Sequence, residues 1–219
     1  MPNATQTPTQ PAIQTDRWLP MDWETFRRES ENPSVKDAKC YYYQEHGRFE
    51  LLPVGRGHGT DHSVVNYAIM LFCAMNAIPL RLLDNCSYRK EGYDECQPDL
   101  SAYLRASVKQ ISATGGVINL DKSPVPDLAV EVANTSLVDD LSTKRFLYES
   151  LGFKEYWVLD VKKADVTLFE IIERGSRQID DSLILPGFCA NVLREALQLS
   201  RQVDQAQMGA WLLQQFQNE

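Results

Sequence analysis

The stretch VPDLAVEVANTS, residues 125–136, decides the fold. Leu128, Val130 and Val132 alternate with other residues in a short run that opens on a proline, which predicts a buried β-strand over 125–133. Asp127 and Glu131 interrupt the apolar residues. Strand side chains alternate faces, so both carboxylates point to the same side of a sheet. Upstream, PDLSAYL (98–104) repeats the Pro-Asp opening and predicts a second strand.

Spacing separates these acids. Residues four apart on a strand lie about 13 Å from each other, at about 3.3 Å per residue. Two ligands of one cation must each lie within about 2.0–2.6 Å of it. Asp127 and Glu131 therefore make a poor pair, and Asp99, one strand away at about 4.8 Å, is the better partner for Glu131. This is a prediction of register. Two carboxylates about 4.5 Å apart repel by about 4 kcal/mol at an effective dielectric of 20, so something cationic must sit between them. A divalent metal does this, and Mg²⁺ is held by one or two carboxylates plus water and phosphate oxygens. The plainer reading makes Asp127 and Asp99 turn residues that begin strands after proline. It is favoured for Asp127 and weaker for Glu131, which sits mid-strand.

The next segment, SLVDDLSTKRFLYESLG (136–152), predicts a helix that stops at Gly152. Leu141, Tyr148 and Leu151 form its apolar stripe, and Lys144 falls on that stripe. An inward lysine either snorkels to solvent or reaches the carboxylates at the end of the preceding strand. Arg145 is turned about 100° away and is expected to be exposed. Upstream, His62 opens the first long helix (63–77), where it faces the site or caps the helix end. His58 lies in the loop GRGHGTDH, and His46 precedes a strand. The chain has no HExxH motif, which argues against a histidine zinc site.

Further elements complete the pattern. A helix is predicted over 20–32 with Asp22 as its cap, and strands over 48–54, 79–84, 155–161 and 165–172, the last two joined tightly by KKA. Residues 107–124 read as a long polar loop. Residues 190–217 are mostly helical, with Met208, Trp211, Leu212 and Phe216 giving an apolar side that docks on the body or on another subunit. The order is mixed α/β with a central sheet. GxGxxG, Walker and GxSxG motifs are absent, which moves dinucleotide binding, nucleotide switches and α/β-hydrolase chemistry out of the front rank.

Composition sets outer limits. The 219 residues are 43% hydrophobic and 24% charged, as expected of a soluble globule, with no apolar run long enough to span a bilayer. The first residues are rich in Thr, Gln and Pro and lack a secretory pattern. A disordered tail over 1–17, a domain over 18–200, a C-terminal helix over 201–219 and a cytoplasmic location are expected. Five cysteines, an odd number without a CxxC pair, fit a reducing compartment. The net charge of −8 argues against nonspecific coating of nucleic acid, though not against a nuclease with a local cationic cleft.

PDLSAYL, VPDLAVEVANTS and DDLSTKRFLYESLGFKEYWVLD together resemble the Uma-two family of restriction-endonuclease-like proteins, over about Trp18 to Leu199 and most specifically over 126–160. The resemblance implies the PD-(D/E)XK nuclease superfamily and a restriction-endonuclease-like α/β fold, a mixed central sheet flanked by helices. It implies a site in which Asp99 and Glu131, with the Val132 carbonyl, hold Mg²⁺ or Mn²⁺, and in which Lys144 supplies the lysine. The superfamily's usual lysine position is Ala133 here, Leu137 replaces a frequent proline, and 63–77 contains no acid. Glu50, matching a glutamate common in the family, substitutes for that acid; His62 and Asp127 are accessory candidates. The implied activity is metal-dependent hydrolysis of DNA phosphodiesters, by a protein without membrane partners and with a hint of homodimerisation. The alternative is a non-catalytic binding or assembly protein on the same fold with a weakened metal site, which the acidic composition and the missing helix acid support.

Overall fold

The computed structural model describes residues 13–52, 55–112, 114–173 and 175–217. The strand predicted at 125–133 is β9 (Leu128–Ala133), every residue of it buried. It runs antiparallel to β7 (Leu100–Leu104) and parallel to β10 (Glu155–Asp160). β10 then turns through KKA into antiparallel β11 (Asp165–Ile172), with Ala164 at φ 51° in the turn. With β4 (Leu80–Asp84) and β12 (Gly175–Ile179) at its edges, the main sheet has the order β12-β11-β10-β9-β7-β4. The crossover between β9 and β10 carries α3 (Leu137–Asp140) and α4 (Thr143–Leu151).

Alternation along β9 divides the core. Leu128, Val130 and Val132 pack with Trp157 against α2 (Arg56–Met75), α5 (Ala190–Leu199) and α6 (Gln205–Gln217). Phe72, Trp157, Phe188 and Phe216 meet there ring to ring. Met208, Leu212 and Phe216 belong to this core, so the apolar side of the last helix docks on the body. Ala129 and Ala133 face the other way, into a cluster with Tyr41, Tyr148 and Tyr156. That face is covered by α4 and by a second, smaller sheet. Its strands are β1 (Trp18–Pro20), β2 (Ala38–Tyr43), β3 (His46–Leu51), β5 (Tyr88–Lys90), β6 (Asp94–Cys96) and β8 (Ile118–Asn119), in the order β1-β3-β2-β6-β5-β8. α1 (Trp23–Ser30), capped by Asp22 as expected, packs beside β2 through Phe26 and Tyr42.

The structure corrects several expected boundaries. α2 begins at Arg56, so GRGHGTDH forms its first turns rather than a loop, and the helix carries an acid, Asp61. Gly57 permits this, because a Cβ there would lie 3.0 Å from the Val161 side chain. The helix expected over 136–152 is broken at Ser142, whose hydroxyl donates back to the Val138 carbonyl at 2.5 Å, a bond that competes with the helical ladder. The polar loop contains β8 and opens within a 3₁₀ turn at Arg105–Gln110. The strand expected over 48–54 is β3, and Pro53 and Val54 lie outside the described residues, as do residues 1–12 of the expected tail. Asp16, at the end of that expected tail, donates its backbone N–H to the Phe49 carbonyl and accepts from the Leu51 N–H. Among the described residues, no helix is long and apolar enough to cross a membrane.

Asp127 works as a clamp at the start of β9. It accepts from the Leu104 N–H and the Ser107 hydroxyl, each at 2.7 Å, and pairs with Lys154 at 2.6 Å. Asp127→Ala removes the acceptor of the Ser107 hydroxyl and the closer of two acceptors of the Leu104 N–H, leaving Ser107 Oγ at 3.0 Å, and is expected to cost about 1–2 kcal/mol in urea denaturation, without altering the response to divalent metals.

Candidate functional site

β7 pairs with β9 as Leu100↔Val130 and Ser101↔Ala129, so the next step along the ladder sets Asp99 beside Glu131. The expected register therefore holds. Asp99 accepts the Val132 N–H through Oδ2 at 2.7 Å, continuing the contact between the strands with its side chain. Glu131, of the same parity as Ala129 and Ala133, projects from the main sheet toward α4 and the small sheet.

The cation between these carboxylates comes from the protein itself. Lys39 on β2 is 1% exposed, with its Nζ 2.6 Å from Asp99 Oδ1 and 3.8 Å from Glu131 Oε2. Lys144 at the start of α4 is the inward lysine that its stripe position implied. Its Nζ lies 2.8 Å from Asp140, 3.0 Å from Glu50 and 3.7 Å from Glu131, and 4.3 Å from the centre of the Tyr41 ring. Arg48 on β3 holds the other side of Glu50 at 2.9 Å and reaches Asp139 at 3.0 Å. The hydroxyls of Tyr148 and Tyr41 donate to Glu131 Oε1 at 2.6 and 3.1 Å.

Burial and charge set the protonation states. Burial opposes the charge on Asp99, but Lys39 and His58 outweigh it and hold the carboxyl well below the ordinary range. Burial raises Glu131 most, Lys144 and Lys39 offset it only partly, and its carboxyl is pushed up to about 8. Burial likewise opposes the charge on Lys144 and on Lys39. Asp140, Glu131 and Glu50 around the first, and Asp99 and Glu131 around the second, raise both above the usual lysine value. Lys39 thus pairs with Asp99, Lys144 with Asp140 and Glu50, and Arg48 with Glu50 and Asp139.

Two histidines border the cluster. His58 Nε2 lies 3.4 Å from Asp99 Oδ1. His62 Nε2 is 3.3 Å from the Asp99 carbonyl and 3.5 Å from Asp84. A cleft of about 20 Å³ opens here, lined by Glu50, His58, Asp99, Val132 and Asn134 among others. That is room for about one water-sized particle. Asp61 takes no part; it pairs with Arg201 at 2.6 Å and ties α2 to the C-terminal segment. Arg145, expected to be exposed, is half-buried, with its guanidinium 5.0 Å from the centre of the Phe169 ring.

Asp99, Glu131, Lys144 and Glu50 are thus brought together, His62 and Val132 lie at the edge, and Asp127 serves elsewhere. Sequence reasoning missed Lys39, Arg48 and His58. Lys39 carried a usable signal: in AKCYYY it shares a strand face with Tyr41, whose ring is buried. This arrangement does not fit Mg²⁺ or Mn²⁺. Both oxygens of Asp99 are engaged, Glu131 favours its proton, and an ammonium lies between them. Among the described residues, no group of three or more His, Cys, Asp or Glu is placed to hold a metal ion.

Comparisons place the chain. A family model described as "Uma2: Putative restriction endonuclease" matches residues 23–192. Among solved structures, one described as a "putative nuclease" from Anabaena variabilis matches with a TM-score of 0.53 and 16% identity, covering 76% of this chain and 91% of that one. The likeness is one of fold, and the central sheet with its flanking helices is the restriction-endonuclease-like α/β architecture. No curated protein matches.

The raised Glu131 carboxyl has a signed consequence. Between its ordinary value of 4.5 and about 8, the folded state holds a proton that the unfolded chain has lost. Stability therefore falls as pH rises through that window. Urea denaturation at several pH values across it is expected to show a declining stability in the wild type and a shallower slope in Glu131→Gln.

Proposed function

The chain belongs to the Uma2 family, and on that premise we propose that it is a non-catalytic binding or assembly protein built on a nuclease fold. One observation carries this reading. Glu131 and Lys144, the residues that would hold a metal ion and counter phosphate charge, are 1% and 0% exposed, and both are engaged inside the protein. A phosphodiester reaches neither group without displacing the Tyr148 and Tyr41 hydroxyls, Asp140 and Glu50. Hydrolysis at a phosphate needs its charged groups directed at the reacting oxygens rather than at each other. A net charge of −8 favours protein partners over the DNA backbone, which a negative surface repels.

The second reading is a Mg²⁺- or Mn²⁺-dependent DNA endonuclease. The family's description supports it, as does the cleft where Asp99, Glu50 and His58 meet the surface. In this arrangement no step can be written through a metal, because the carboxylates are already engaged.

Incubating supercoiled plasmid with the protein in Mn²⁺ or in EDTA, beside Glu131→Ala, separates the two. The proposal expects no nicking above the metal-free control from either protein. Mn²⁺-dependent nicking by the wild type that disappears in Glu131→Ala would overturn it and establish the endonuclease.

A further inference from the structure

Among the described residues, Lys39 is the one cation that contacts both strand carboxylates, Asp99 at 2.6 Å and Glu131 at 3.8 Å. It is nearly as buried as Lys144, yet it comes from the small sheet rather than from α4. The cleft beside it is lined by Asp99, Val132 and His58. His58 is 9% exposed, and its buried Nε2 faces Asp99 Oδ1 at 3.4 Å. A neutral imidazole nitrogen that close to a carboxylate can share a metal ion with it.

We infer that Lys39 is a built-in counter-ion, whose ammonium and a divalent metal ion exclude each other at the same place between Asp99 and Glu131. Removing the ammonium takes the closest cation from Asp99 and leaves Glu131 with Lys144 at 3.7 Å, with the His58 Nε2 at the edge. Oxygen and imidazole donors together suit Mn²⁺. The inference rests on the non-catalytic reading and deepens it, by naming the residue that weakens the site.

The test compares wild type, Lys39→Met and Lys39→Met/Asp99→Asn, titrated with Mn²⁺ and followed by thermal unfolding and by loss of the free Mn²⁺ electron paramagnetic resonance signal. Lys39→Met is expected to bind one Mn²⁺ at least about tenfold more tightly than the wild type, and to melt at a higher temperature in Mn²⁺ than in EDTA. The double variant, which lacks the Asp99 charge, is expected to fold without metal and to bind no more tightly than the wild type. Refolding of Lys39→Met in Mn²⁺ but not in EDTA also supports the inference. Lys39→Met that folds and binds no better than the wild type overturns it. So does Lys39→Met that fails to fold in both media while the double variant folds, because metal then cannot replace the ammonium. Failure of both variants in both media overturns it too, since Lys39 then acts through its packing. If neither protein binds Mn²⁺, the proposed function stands and only the inference falls; if both bind one Mn²⁺ equally and the double variant binds none, the proposed function falls with it.

Discussion

Two carboxylates on adjacent strands, both removed from water, cannot stay charged side by side without a cation between them. The repulsion, about 4 kcal/mol at ~4.5 Å and an effective dielectric of 20, adds to the cost of burying each group. This protein meets the constraint twice over. It inserts Lys39 from the small sheet between Asp99 and Glu131, and it keeps a proton on Glu131 while Lys144 stands on the other side. The rest of the site follows. Asp140 and Glu50 are drawn in to balance Lys144, and Arg48 to balance Glu50 and Asp139.

The network also joins the architecture. Its members come from β2 and β3 of the small sheet, the end of β7, β9 of the main sheet and the crossover helices. Few apolar contacts could fix the orientation of a short hairpin over a sheet so narrowly, because apolar packing lacks direction. Removing one partner of a buried ion pair typically costs about 3–5 kcal/mol, since the other charge is left uncompensated. The hairpin and the crossover are therefore held in register by charge, while Tyr41, Tyr148 and Tyr156 fill the space around it. The same bonds that order the fold withdraw Glu131 and Lys144 from solvent, which connects the structure to its proposed non-catalytic role.

Much of this was legible in the chain. β9 declared itself by alternation, the pairing of Asp99 with Glu131 followed from the spacing of acids along one strand, and Lys144 betrayed its direction by lying on an apolar stripe. Of the small sheet, only β3 was legible. β5, β6 and β8 are two or three residues long, too short for periodicity to register. The β2–β3 turn places Gln44 and Glu45 at positive φ without the Asn-Gly or Asp-Gly signal that marks such turns. Lys39 was hidden with the strand that carries it, 60 residues before Asp99. The cation was foreseen as a necessity of charge, and its identity depended on a tertiary contact.

The most direct measurement is a crystal of the wild-type protein soaked in Mn²⁺ and read by anomalous scattering. The account predicts no manganese peak between Asp99 and Glu131, with the Lys39 ammonium still paired to Asp99. A peak within about 2.0–2.6 Å of carboxylate oxygens from both residues, with Lys39 swung out of the cluster, would contradict it.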